Sequence, residues 1–127
     1  MKKHTIIIKE RSIYLPSETN DCSVIALALV VGCTYEEAHN TLGSLGRLYG
    51  TSTNTIVFKD ALRSYGYNVS REVWMGMGSH LGNITKHDYL GTVVLVSENH
   101  LSAVVDDILE DSAIYNSRRV KFLYDLY

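Results

Sequence analysis

Cys22, His100 and Asp111 are the side chains of this sequence whose types and surroundings suit covalent chemistry. Cys22 stands in NDCSVIALALVVG, residues 20–32, behind two helix-capping residues, Asn20 and Asp21, and ahead of nine residues that are apolar except for Ser23. A thiol in the first turn of a helix faces N–H groups with no partner inside the helix, and the helix dipole there favours negative charge. Such a site stabilises a thiolate, and its N–H groups can also bind an oxyanion. A nucleophilic thiol further needs a base, and the base needs an orienting partner.

The second half of the chain offers both. His100 opens the strand-like run HLSAVVD, and Asp106-Asp107 make a two-residue turn into ILEDSA. With that turn, Val105 faces Ile108, Ser102 faces Asp111 and His100 faces Ala113. Side chains alternate along a strand, so His100, Ser102 and Asp111 share one face, with Asp111 diagonal to the imidazole. Turn formation accounts for Asp106 and Asp107, and Asn116 lies past the strand end. The competing reading of Cys22 is a buried core thiol, since free cysteine is among the most buried residue types. Cys33, at the far end of the same helix, is expected to be structural. His39 is expected on a solvated helix face, and His80 and His87 at the surface.

The elements that must position these groups follow from periodicity. HTIIIK (4–9) and SIYL (12–15) have the composition of short strands. Residues 22–31 are apolar on every side, and the alanines and leucines between caps and Gly32 favour a buried helix. Thr34-Tyr35-Glu36-Glu37 is a capping box that starts a second helix ending near Gly43. GSLGRLYGTSTN (43–54) reads as a flexible loop. A third helix runs from about Thr55 to Tyr65, with Phe58, Ala61, Leu62 and Tyr65 on one face and Gly66 as its stop. Strands follow at 67–75, 92–97, 100–106, 108–115 and 119–127, interrupted by the loop MGMGSHLGN and a short helix TKHDYL. Helices first and an antiparallel meander last give an α+β class.

This order of parts resembles the papain-like cysteine peptidase superfamily: DCSVIALALVVG on a buried helix, a TYEEAH helix, a glycine-rich loop, a helix ending SYGY, and a late strand with HLSAVV. It looks closest to the bacteriocin-leader-processing-like branch and to small phage-encoded relatives, over residues 17–115. The resemblance implies a papain-like fold in which a helix carrying the cysteine packs on a C-terminal antiparallel sheet. It implies Cys22 as nucleophile, His100 as general base and Asp111 as the orienting carboxylate. Many members carry a glutamine about six residues before the cysteine as an oxyanion donor. Here that position is Pro16, and the nearest substitutes are the Asn20 amide and the Cys22 N–H. The activity implied is hydrolysis of a peptide or isopeptide bond in a protein or peptide substrate. The alternative is a papain-like module that keeps the fold without turnover and binds or inhibits a host protein.

Composition narrows the classes. With 127 residues and 46% hydrophobic content, the whole chain, 1–127, is expected to be one domain with its own core. A net charge of -2 and scattered cations supply no field for phosphates, so nucleic acid is not the expected partner. The N-terminal apolar run is too short for a signal peptide or membrane span, which gives a cytoplasmic expectation and no membrane partner. Cys22 and Cys33 sit at opposite ends of one helix, about 16 Å apart, too far for a disulfide. The spacings Cys22-x10-Cys33-x5-His39 fit no common metal arrangement, and GSLGRLYG lacks the Gly-Lys-Ser/Thr of a phosphate loop, so no metal or cofactor is expected.

Overall fold

The computed structural model describes residues 4–70, 73–74, 92–97, 100–105, 108–110 and 120–127. The class is α+β: helices α1 (His4–Tyr14), α2 (Cys22–Val31), α3 (Tyr35–Ser44) and α4 (Thr55–Ser64) precede strands β1 (Val73–Trp74), β2 (Val93–Ser97), β3 (His100–Val105), β4 (Ile108–Glu110) and β5 (Val120–Asp125). Among the described residues, no single helix is long and apolar enough to cross a membrane.

Helix α2 is the centre of the molecule. Its residues from Ser23 to Val30 are all buried, because neighbours cover it on every side: α3, α1 and α4 around one part, and strand β3 on the other. An all-round apolar sequence is stable only in such a place, where each buried leucine contributes about 2 kcal/mol. The helix stops at Gly32, whose φ of 80° is left-handed and whose N–H donates to the Ala28 carbonyl. That conformation is easy for glycine and costly for other residues. Helix α3 starts as its sequence requires, with the Thr34 hydroxyl accepting from the Glu37 N–H at 3.1 Å. Helix α4 buries Phe58, Ala61 and Leu62, and Asn54 caps it by accepting from the Ile56 N–H at 2.8 Å.

The N-terminal strand expectation is overturned. Residues 4–14 form α1, so the cysteine helix is the second element of the chain and not the first. β-branched residues disfavour a helix by only a few tenths of a kcal/mol each, and tertiary packing overrides that. Ile7 is fully buried, Ile8 and Leu15 pack on the same core, and Arg11 reaches Asp21, so the inward positions recur every three to four residues.

The five strands form one antiparallel sheet in the order β1-β5-β2-β3-β4. The last described strand therefore inserts between β1 and β2, where a simple meander was expected. Strands β3 and β4 pair Val105 with Ile108, Val104 with Leu109 and Ala103 with Glu110, the register expected from the sequence. The pairing irregularity between Val96 and Ser97 against β5 falls at the end of β2 where the candidate site begins.

Candidate functional site

Cys22 opens α2 and is half-buried. Asp21 occupies the cap position, and its carbonyl accepts from the Ile25 N–H at 3.1 Å, but its side chain makes no capping bond to the helix. The Asp21 carboxylate turns away instead, accepting from the Tyr35 hydroxyl at 2.9 Å and from the Arg11 guanidinium at 3.2 and 3.3 Å. Burial, followed by the Asp21 charge, pushes the Tyr35 hydroxyl far above its ordinary range, so it remains a donor. The first-turn N–H groups beside Cys22 are thus left without a side-chain cap.

Strand β3 delivers the second group. His100 pairs with Ser97 across the β2–β3 ladder, and the next residue, Leu101, donates its backbone N–H to the Cys22 sulfur at 3.4 Å. Cys22 and His100, far apart in sequence, line one cleft of about 220 Å³. Its walls are Ser52 and Thr53 from the segment before α4, Thr55 at the start of α4, and Val96 and Ser97 from the end of β2. The Ser23 and Thr53 hydroxyls bond at 2.5 Å, tying the first turn of α2 to the opposite wall. Hydroxyl groups dominate this lining, and among the described residues no carboxylate, lysine or arginine contributes to it.

Asn20 precedes the cap residue Asp21. Its side-chain amide donates to the Gly50 carbonyl at 3.0 Å, and its backbone is left-handed, with φ at 53°. Asparagine adopts that conformation more readily than most residues, because its short polar side chain can hydrogen-bond locally. Asp111 lies outside the described residues, as do Asp106, Asp107, Asn116, His80, His87 and the segments MGMGSHLGN and TKHDYL. Among the described residues, no group of three or more His, Cys, Asp or Glu side chains gathers in a way that could hold a metal ion.

Sequence reasoning missed what holds the two walls together. Glu18, 4% exposed, accepts four hydrogen bonds: from the Thr19 and Gly50 N–H groups at 2.9 and 2.7 Å, His39 Nε2 at 2.6 Å and Arg47 Nη1 at 3.2 Å. The other end of the Arg47 guanidinium reaches the carbonyls of Thr19 and Asn20. The loop at 43–54, expected to be flexible, is therefore pinned between residues 47 and 50 to the segment leading into Cys22. His39, expected on a solvated face, is mostly buried and ringed by Tyr14, Tyr35 and Tyr49. The one usable signal was Arg47 itself, the only charged residue in GSLGRLYGTSTN.

Comparison with protein-family models, curated proteins and solved structures gives no match. The site must therefore be judged by its own geometry and charge.

Burial alone would raise the Glu18 carboxyl, but the Arg47 guanidinium, the His39 ring and the two backbone N–H groups outweigh it and hold the group down at about 2. Relative to its ordinary 4.5, that is worth about 3 kcal/mol of folding stability. A depressed carboxyl stabilises the fold above its unfolded value and loses that contribution as pH falls through the folded one. Urea unfolding is thus expected to show stability falling between about pH 4.5 and 2, with that part of the slope missing in Glu18→Gln. A flat profile across this window in the wild type would contradict the assignment.

Cys33 follows Gly32, the C-cap of α2. Burial, reinforced by the nearby Glu37 charge, pushes its thiol above the ordinary value, so at any given pH it holds less thiolate than a free cysteine.

Proposed function

We propose that this chain is a cysteine peptidase-like thiol hydrolase with a papain-like fold, acting on a peptide or isopeptide bond of a protein or peptide. The observation that carries this reading is the Leu101 N–H aimed at the Cys22 sulfur at 3.4 Å with His100 in the same cleft. A helix-start thiol with uncapped N–H groups beside it, facing a strand-start imidazole, has the parts acyl transfer needs.

In the proposed reaction His100 takes the Cys22 thiol proton, the sulfur attacks the carbonyl carbon, a C–S bond forms, and the carbonyl π electrons move onto oxygen. The tetrahedral intermediate collapses as the C–N bond breaks and His100 gives that proton to the leaving amine. His100 then takes a proton from water, whose oxygen attacks the thioester, and the C–S bond breaks to release the acid. Asp111 is assigned the task of holding the His100 tautomer.

The test is acylation by p-nitrophenyl acetate, a small neutral acyl donor, followed by p-nitrophenolate release and by the acetyl mass on the Cys22 peptide. A release burst tied to acetyl-Cys22, absent in Cys22→Ala, is the expected result. Release that is unchanged in Cys22→Ala would overturn the reading. The other reading, a papain-like module that binds or inhibits a host protein without turnover, is favoured by one observation: one N–H of the Asn20 amide is engaged by the Gly50 carbonyl.

A further inference from the structure

Ser97 is only 6% exposed, yet its hydroxyl has no hydrogen-bond partner among the described residues. A buried hydroxyl left unpaired destabilises a fold, and native structures rarely keep one without a use for it. Ser97 is also directly opposite His100 in the β2–β3 register. Cross-strand partners project from the same face, with their Cβ atoms about 5 Å apart. Both residues line the cleft that contains Cys22. The donor therefore stands beside the base and in the same cleft as the nucleophile, and among the described residues the lining holds no carboxylate, lysine or arginine.

We infer that the Ser97 hydroxyl donates to the carbonyl oxygen of a neutral acyl group bound at Cys22, supplying a side-chain oxyanion donor. This rests on the proposed thiol chemistry. When the Cys22 sulfur attacks, negative charge moves to the carbonyl oxygen, and a preorganised donor there lowers the barrier without reorganising water. When the C–S thioester is complete and the leaving group has departed, the oxygen is again a neutral carbonyl and the Ser97 bond weakens. The hydroxyl keeps its own proton throughout, while the thiol proton goes to His100.

The comparison that tests it uses two reactions of the same sulfur. Acylation by p-nitrophenyl acetate passes through an oxyanion, whereas displacement of iodide from iodoacetamide forms the C–S bond without one. In Ser97→Ala, acylation of Cys22 is expected to fall at least tenfold and up to about 10²-fold. Alkylation of Cys22 should stay within about twofold, and Ser97→Thr, which keeps a hydroxyl, should retain more acylation than the alanine variant. The thermal midpoint of Ser97→Ala should be unchanged or raised, because the substitution removes an unpaired buried hydroxyl. Equal acylation in wild type and Ser97→Ala would overturn the inference while leaving the thiol chemistry standing. A parallel drop in acylation and alkylation would also overturn it, by showing that Ser97 acts on the thiol or on His100. No Cys22-dependent acylation in the wild type would overturn both together.

Discussion

Replacing His100 with alanine is expected to slow acylation of Cys22 by p-nitrophenyl acetate about 10²- to 10⁴-fold, the range associated with a positioned acid-base group. Cys22→Ala should leave no acylation at that peptide. The size of the first effect follows from placement. His100 is one residue from the N–H that contacts the sulfur, on a strand fixed by five cross-strand pairs to β2. Such a group has little freedom to lose on reaching the reactive geometry. A reduction of less than about threefold in His100→Ala, with Cys22 still acylated, would mean that water or another group removes the thiol proton.

The second large effect concerns Glu18. Glu18→Ala is expected to destabilise the fold by about 3 to 5 kcal/mol, because it leaves a charge buried without its counter-ion. The Arg47 side chain is 1% exposed, and its Nε already lacks a partner among the described residues. Without Glu18 it would keep only the carbonyls of Thr19 and Asn20, at 3.3 and 3.5 Å. The same change leaves the Gly50 N–H without this acceptor and loosens the link between the segment before Cys22 and the loop before the Ser52–Thr55 wall, where the Asn20 amide still reaches the Gly50 carbonyl. The thermal midpoint should therefore drop by about 10 °C or more, and Glu18→Ala/Arg47→Met should recover part of the loss by removing the stranded charge. A loss below about 1 kcal/mol would be the behaviour of a solvated surface pair and would contradict a structural role for the cluster.

How much of this was legible in the sequence depends on how local each signal was. The bounds of α2 could be read because a continuous apolar run meets a glycine that only a left-handed turn needs, and those of α3 because Thr34 and Glu37 have capping-box spacing. The β3–β4 register could be read because two acidic residues of turn-forming type separate two strand-like runs in the sequence, and the observed pairing of Val105 with Ile108 matches that expectation. Residues 4–15 misled because three consecutive isoleucines say more about burial than about backbone geometry. Their helical spacing shows only once Ile7, Arg11 and Leu15 are read as one inward face. The insertion of β5 between β1 and β2 had no local signature, since it joins residues 93–97 to 120–125. At the site, Cys22 and His100 stood out by residue type and position. Glu18, His39 and Arg47 come from three separate segments, and Ser97 is distinguished by a buried hydroxyl with no partner among the described residues.

The most direct measurement of the central claim is the rate of iodoacetamide alkylation at Cys22 and at Cys33 across pH, resolved by peptide mass, in wild type and His100→Ala. Cys33 is the internal control, since burial raises its thiol and it should label only under alkaline conditions. The expected result is Cys22 labelling ahead of Cys33 at every pH up to neutrality, with that advantage largely lost in His100→Ala. A Cys22 that labels no faster than Cys33, or whose rate is untouched by loss of His100, would contradict a working thiol–imidazole pair and turn the search toward binding partners.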